Sequence, residues 1–403
     1  MLPIDKRHVQ AAQESAKLRL VQSREMLEEI FEDEGLHALQ ILSLSNAVAG
    51  TLSATRAGIR AIGVAYAELS GIDEKHATKQ VDRLLSNSAI RVESLSQAWT
   101  RYVVGDAKDI VVALDWTDFA DDDHTTLYIA LVTTKGRALP LLWKTAEKSK
   151  NKGRQNEVEV ELIELLHASL PDDVAITVLA DRGFAKPDVY ETLGILGIDY
   201  VIRIKKDTAV TDSEGVRSIA HELVYPNGRV HSLTNVLLTN RKREVPLFVC
   251  VKAKGMKEPW CLISSLTERS AKDIVALYGR RFTVEETFRD TKNLNFGFGL
   301  SAVHIRKPDR RDRMLLLIAM AQALLTLLGE ASERSGMDRY LKVNTVKTRT
   351  MSLINQGTRW WRKLHTLRDE RRIPLLTAYD QILRENNFFA RVLGLTSDFQ
   401  AAK

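Results

Sequence analysis

Tyr278, Arg281, Glu285 and Lys292 stand at offsets of 0, 3, 7 and 14 residues. At about 100° per residue on an α-helix these positions fall at roughly 0°, 300°, 340° and 320°, inside an arc of about 60°. One helical stripe therefore presents a phenol, two cations and a single carboxylate. Leu277, Val284 and Phe288 fall at roughly 260°, 240° and 280°, so an apolar seam borders the stripe and Glu285 is expected where core meets solvent. Glu286, at roughly 80°, points elsewhere. An Arg281–Glu285 pair is equally at home on an ordinary solvated face, where it contributes about 0.2–0.5 kcal/mol. The stripe alone does not decide between the two.

Upstream, two apolar runs each deliver an aspartate at or near their C-terminal end. DIVVALDW (109–116) carries Asp115 and VAITVLADRGF (174–184) carries Asp181. Such Val/Ile/Leu runs read as strands buried on both faces. A carboxylate there must be paired, hydrogen-bonded or metal-bound, because bare desolvation costs several kcal/mol. Asp181, ahead of Arg-Gly-Phe, could serve only as a cap. Asp118, Asp121, Asp122 and Asp123 are rivals to Asp115, but they fall in or near an expected loop and are expected to be solvated. If Asp115, Asp181 and Glu285 share one cleft, they stay ionised together only with a cation among them. Oxygen ligands without His or Cys select Mg²⁺, or Mn²⁺, over zinc. Two such ions about 3.5–4 Å apart activate a water or a 3′ hydroxyl and stabilise the leaving oxygen of a phosphodiester. Asp115 would bridge both ions, with Asp181 and Glu285 each holding one. That is phosphoryl-transfer chemistry on nucleic acid.

The elements expected to position these groups fall into five stretches. Residues 1–105 read as helical, with Ala54–Leu69, a turn at Ser70–Asp73 and Glu74–Leu85 resembling a helix-turn-helix. On its second helix Lys75, His76, Lys79 and Arg83 could face DNA while Val81, Leu84 and Leu85 pack inward. Residues 106–204 read as three antiparallel strands followed by alternating helices and strands, the order of a ribonuclease H-like α/β core. In that fold the first and fourth strands are neighbours, which would bring Asp115 beside Asp181. Residues 205–266 read as a β-rich insertion. The Glu285 helix (267–300) completes the core, and 301–403 is a helical region suited to DNA contact or dimerisation.

Composition narrows the class. At 44% hydrophobic and 27% charged residues, the chain is that of a soluble globular protein. The longest apolar stretch, Met314–Leu328, is shorter than the ~18 residues of a spanning helix, and the N-terminus lacks the apolar region of a signal peptide, so no membrane partner and a cytoplasmic location are expected. Cys250 and Cys261 make neither a disulfide framework nor a zinc spacing. The net charge of +6 is modest, but its distribution is uneven. Arg306, Lys307, Arg310, Arg311 and Arg313 crowd together, and Arg359, Arg362, Lys363, Arg368, Arg371 and Arg372 surround Trp360 and Trp361. Cations interleaved with aromatics suit phosphate contact plus base stacking; the alternative is that the tryptophans are core.

Tyr278-x2-Arg281-x3-Glu285-x6-Lys292 resembles the Y-R-E-K signature of a large family of bacterial insertion-sequence transposases of the cut-and-paste DDE type. LDWTDF, ADRGF, EPW, YGRRFTVEETFRDTK and FGFGL resemble that family's blocks in the family's order, over about residues 54–350. The resemblance implies double-stranded DNA partners, namely the terminal inverted repeats of the protein's own element and target DNA. It further implies a homodimeric synapse, cleavage through a hairpin, and strand transfer. It assigns Tyr278, Arg281 and Lys292 to phosphates or to a flipped base near the transferred end and Trp260 to stacking on that base; Arg182, at a position where the family varies, is placed beside Asp181 to reach DNA as well. Two alternatives stay open: a nuclease of the same fold that never joins, and a DNA-binding derivative without activity.

Overall fold

The computed structural model describes residues 24–239, 242–295, 297–385 and 388–394. Its first third is helical: α1 (Ala38–Ala54), α2 (Ile59–Ser70), α3 (Glu74–Ser86) and α4 (Val92–Val104). Thr55 ends α1 in the left-handed region, so α2 starts five residues later than the apolar spacing suggests. Asp73 caps α3 by accepting from the N–H groups of Lys75 and His76, donors that a first helical turn cannot satisfy internally. α3 buries Ala77, Val81, Leu84 and Leu85 and leaves Lys75, His76, Lys79 and Arg83 exposed.

The strands are β1 (Asp109–Phe119), β2 (His124–Val132), β3 (Ala138–Glu147), β4 (Ala175–Ala180), β5 (Asp199–Arg203), β6 (Ala209–Thr211), β7 (Arg217–Ile219), β8 (His231–Leu238), β9 (Arg243–Val251) and β10 (Trp260–Ser264). They form one sheet in the order β3-β2-β1-β4-β5-β10-β9-β8-β6-β7. β1 to β3 make an antiparallel meander. Helix α5 (Gln155–Ser169) crosses over and returns β4 parallel to β1, and α6 (Pro187–Ile195) returns β5 parallel to β4. β1 and β4 are thus central, which is why both are built from Val, Ile, Leu and Ala. This is an α/β fold with a ribonuclease H-like core. β10 pairs antiparallel with β5, so the β-rich stretch extends the core sheet. β1 also runs three residues past its expected end at Trp116, because its ladder with β2 continues to Phe119 before a tight turn. Asp115 accordingly lies within a strand rather than at its tip.

β3 is an edge strand whose outward polar groups are taken by side chains. Trp99 Nε1 donates to the Pro140 carbonyl at 2.9 Å, Ala138 N–H donates to Thr287 Oγ1 at 3.0 Å, and Thr145 N–H donates to Asp312 at 3.1 Å.

One face of the sheet, presenting Ala113, Leu179, Val201 and Leu262, is covered by α7 (Ala271–Gly279) and α8 (Thr283–Lys292) through Ile274, Leu277, Tyr278 and Val284. The expected single helix is in fact two, joined by a 3₁₀ turn at Arg280–Phe282. Gly279, a poor helix former, ends the first. Winding at about 120° rather than 100° per residue for one turn rotates α8 by roughly 60° from the wheel of a continuous helix.

The other face packs into the main core, of which α9 (Pro308–Arg334) is the axis. α9 is long and apolar enough to cross a bilayer, yet 89% of its most apolar window is buried inside the protein, which makes it a core helix. α10 (Leu353–Lys363) lies directly against it. A Cβ on Gly329 would sit 2.0 Å from the Leu353 carbonyl, and one on Gly357 would sit 1.9 Å from that of Leu325, so each helix presses its backbone against a glycine of the other. Trp360 and Trp361 are buried. The expectation that they stack on bases is therefore corrected: Leu353, Ile354, Gly357, Trp360 and Trp361 are the buried face of α10, and Arg359, Arg362 and Lys363 are its exposed one.

Candidate active site

Strand register builds the floor of the site. Leu114 lies beside Ala180, and Ala180 beside Ile202. One residue further on, Asp115, Asp181 and Arg203 form a row across β1, β4 and β5, facing α7 and α8 because side chains alternate along a strand. Asp181 Oδ1 also accepts the Gly183 N–H at 2.7 Å, so its capping role and its place in the row coexist.

The α7–α8 segment supplies the roof. Tyr278 is buried at the end of α7, and Arg281 is buried in the 3₁₀ turn. One terminal nitrogen of Arg281 donates to Asp115 at 2.9 Å and the other to Glu285 at 2.8 Å. Folding therefore gathers two carboxylates far apart in the chain around one guanidinium, with Asp181 close enough to act on both Asp115 and Arg281. Burial pushes the Asp115 carboxyl up; Arg281 pulls it down, Asp181 and Glu285 push it up again, and it rests at about 6. For Arg281 burial works against the charge, but Tyr278, Asp115, Glu285 and Asp181 outweigh it and hold the guanidinium above its ordinary pKa. Its Nε is buried without a hydrogen-bond partner among the described residues, an arrangement that costs about 1–3 kcal/mol.

Glu285 is half exposed and Asp115 largely buried, so the cluster opens to solvent on the α8 side. Glu286 turns away to pair with Arg137 and Arg289. Lys292, the last residue of α8, donates to Thr117 Oγ1 at 3.1 Å and to the Asp118 carbonyl at 2.7 Å, and burial lowers its pKa. Trp260 is half-buried, edge-on to Tyr278 at 5.0 Å and stacked with the exposed Phe282 at 5.8 Å. As they stand, no three acidic, histidine or cysteine side chains among the described residues are close enough to hold a metal ion. The chemistry of the donor set nonetheless fits a hard divalent cation, being carboxylate oxygens without nitrogen or sulfur.

A family model described as "Transposase DDE domain" matches residues 106–324, more than half of the chain. The chain belongs to the DDE transposase family. The match begins just ahead of β1 and ends within α9, so it takes in the whole sheet and the α7–α8 segment. No curated protein sequence matches the chain.

The remaining basic residues of the transposase divide by environment. Lys79, Arg83 and Arg306 are exposed. Arg310 donates to Asp82 and Ser86 and so ties the start of α9 to α3. Arg182 is exposed and shares Glu258 with Arg203, at 3.6 and 3.1 Å. Arg311 is a correction: it is fully buried, donates to Asp122 and to His124 Nδ1, and lies 4.0 Å over the Phe119 ring. It is a strut of the core and does not reach a DNA surface. Asp122 is its counter-ion and is not solvated, whereas Asp118 and Asp123 are exposed and bound to Lys148 and Ser149.

Several neighbours of the site escape sequence reasoning. Arg203 becomes visible only through the register of β5 against β4. Glu258 and Phe282 lie within the EPW and YGRRFTVEETFRDTK blocks, but no sequence pattern assigns either a role. Glu159 is buried on the opposite face of β1, accepting from Trp116 Nε1 at 2.9 Å and from Lys186 at 2.7 Å. Its place on α5 had marked it only as a helix residue.

Proposed function

We propose that this transposase cuts DNA at the terminal inverted repeats of its own element and joins the freed ends to target DNA, as a cut-and-paste enzyme of the Y-R-E-K type. Asp115, Asp181 and Glu285 are the metal ligands, with Mg²⁺ as cofactor, two ions per site, and Mn²⁺ as a substitute. Bound there, the ions supply an activated water or 3′ hydroxyl and stabilise the departing oxygen. Tyr278, Arg281 and Lys292 hold phosphates at the reacting end, Arg182 adds a contact, and Trp260 offers an aromatic surface to an extruded base, which offsets the unstacking cost. Such extrusion accompanies a hairpin intermediate. Lys79, Arg83, Arg306 and Arg310 act on the flanking duplex, with salt-dependent affinity. The synaptic unit is a homodimer.

The observation that carries this reading is Arg281 bridging Asp115 and Glu285 with Asp181 in the adjoining row. Incubating the protein with end-labelled duplexes made from the sequence flanking its gene, with Mg²⁺ and a target plasmid, tests it. A hairpin followed by a strand-transfer product is expected, and both are expected to vanish in Asp115→Ala. Cleavage without joined product would favour a nuclease; cleavage undiminished in Asp115→Ala would overturn the assignment.

A further inference from the structure

We propose that Arg281 is the resident cation of the carboxylate cluster in the DNA-free protein, and that a DNA phosphate must draw it away before a divalent ion can load. This rests on the three carboxylates being the metal ligands. The guanidinium is buried, and its two terminal nitrogens each hold a different carboxylate, at 2.9 Å to Asp115 and 2.8 Å to Glu285. It therefore occupies the space between two ligands, and among the described residues no three acidic, histidine or cysteine side chains are grouped to hold an ion. A dication entering that space meets a fixed positive charge at close range in a partly buried setting, where screening is weak.

Two further observations say that the resting pose can be exchanged. The Arg281 Nε is buried with no acceptor among the described residues, so a pose offering the planar fork a phosphate satisfies more of its donors. The residue also sits in the 3₁₀ turn between two α-helical segments, a kind of junction that often marks a hinge. Nearby, Glu258 stands between Arg182 and Arg203 in the same fashion, an internal anion where a phosphate could bind. Metal and DNA binding are then linked, each strengthening the other by the same factor. Cutting without a bound end is suppressed because the ions arrive last.

The free Mn²⁺ signal in electron paramagnetic resonance, titrated with full-length protein, tests this without reading activity. Beyond the Mn²⁺ taken up by the duplex alone, wild type is expected to bind the ion about tenfold more tightly when a duplex made from the gene-flanking sequence is present. Arg281→Met, which keeps the apolar stem, is expected to bind Mn²⁺ about tenfold more tightly than wild type without DNA, and to gain little from the duplex. Arg281→Lys, a folding control that retains charge, should stay close to wild type without DNA. Unchanged Mn²⁺ affinity in a folded Arg281→Met, or equal wild-type affinity with and without the duplex, overturns the proposal. If Arg281→Met does not fold, Arg281→Gln takes its place, with the same gain without DNA expected and the same absence of gain overturning the proposal. Loss of Mn²⁺ binding in Asp115→Asn separates the two levels: if that variant binds like wild type, the ligand assignment itself fails.

Discussion

Thr287 on α8 is hydrogen-bonded to both polar groups of Ala138, the first residue of β3. Its Oγ1 accepts the Ala138 N–H at 3.0 Å and lies 2.7 Å from the Ala138 carbonyl, with both residues buried. Thr287 is two positions from Glu285, so this contact fixes where the helix carries its carboxylate over the sheet. Thr287→Val keeps the shape but strands a buried N–H. The expected loss is about 1–3 kcal/mol in urea unfolding, with a fall in DNA cleavage per folded molecule.

The three candidate ligands should behave alike and their neighbour should not. Asp115→Asn, Asp181→Asn and Glu285→Gln are each expected to lower end cleavage by about three orders of magnitude, equivalent to some 4 kcal/mol of transition-state stabilisation. Glu286→Gln, which alters only a surface pairing with Arg137 and Arg289, should retain cleavage within a few-fold. Single-turnover assays on labelled ends distinguish these outcomes.

Asp312 on α9 makes stability depend on pH. Burial raises its carboxyl to about 7, against the opposing hydrogen bonds from Thr145. Between about pH 4 and pH 7 the unfolded chain releases this proton while the folded chain keeps it, so stability from this group is present at low pH and falls as pH rises to 7. Asp312→Asn should remove that decline. In urea titrations the variant is expected to be more stable than wild type by a clearly larger margin at pH 8 than at pH 4.

The contact between α9 and α10 tolerates no added methyl group. Gly357→Ala places a carbon against the Leu325 carbonyl, and the helices must separate or bend. Overpacking of this kind costs about 3 kcal/mol or more, readable as a lowered thermal midpoint.

Basic residues on and off the surface should fail differently. Lys79→Ala and Arg83→Ala are each expected to weaken DNA binding with little sequence dependence and to reduce the slope of log affinity against log salt by about 1. Arg311→Met leaves the half-buried Asp122 without its counter-ion but still bonded to the Ile305 N–H and His304, so a loss of about 1–3 kcal/mol in stability is expected. Its folded fraction should keep the wild-type salt slope.

Much of this architecture is legible in the sequence because it follows from burial. The Val/Ile/Leu runs around Asp115 and Asp181 announce central strands, and the element order then makes those strands neighbours. The Tyr278–Lys292 stripe survives although its helix is broken at Arg280–Phe282, since Arg281 and Glu285 remain on the cluster side. What escapes depends on tertiary information. Arg203 joins the row only through inter-strand register, and Arg311 looks like any other member of a basic run until Asp122 and Phe119 enclose it. Trp360 and Trp361 could have been placed: with Leu353, Ile354, Gly357 and Leu364 they repeat at helical spacing, a pattern obscured by the arginines around them.

The bonding of β3 to Trp99, Thr287 and Asp312 has a consequence for self-association. An open sheet normally leaves a ragged flank of backbone donors and acceptors onto which a second molecule can zip. Here that flank is capped by the protein's own side chains, and Pro140 offers no N–H. The opposite flank, β7, is only three residues long. Neither the capped β3 nor the short β7 offers a second molecule a long ladder of free backbone groups, so association through these two edges is disfavoured.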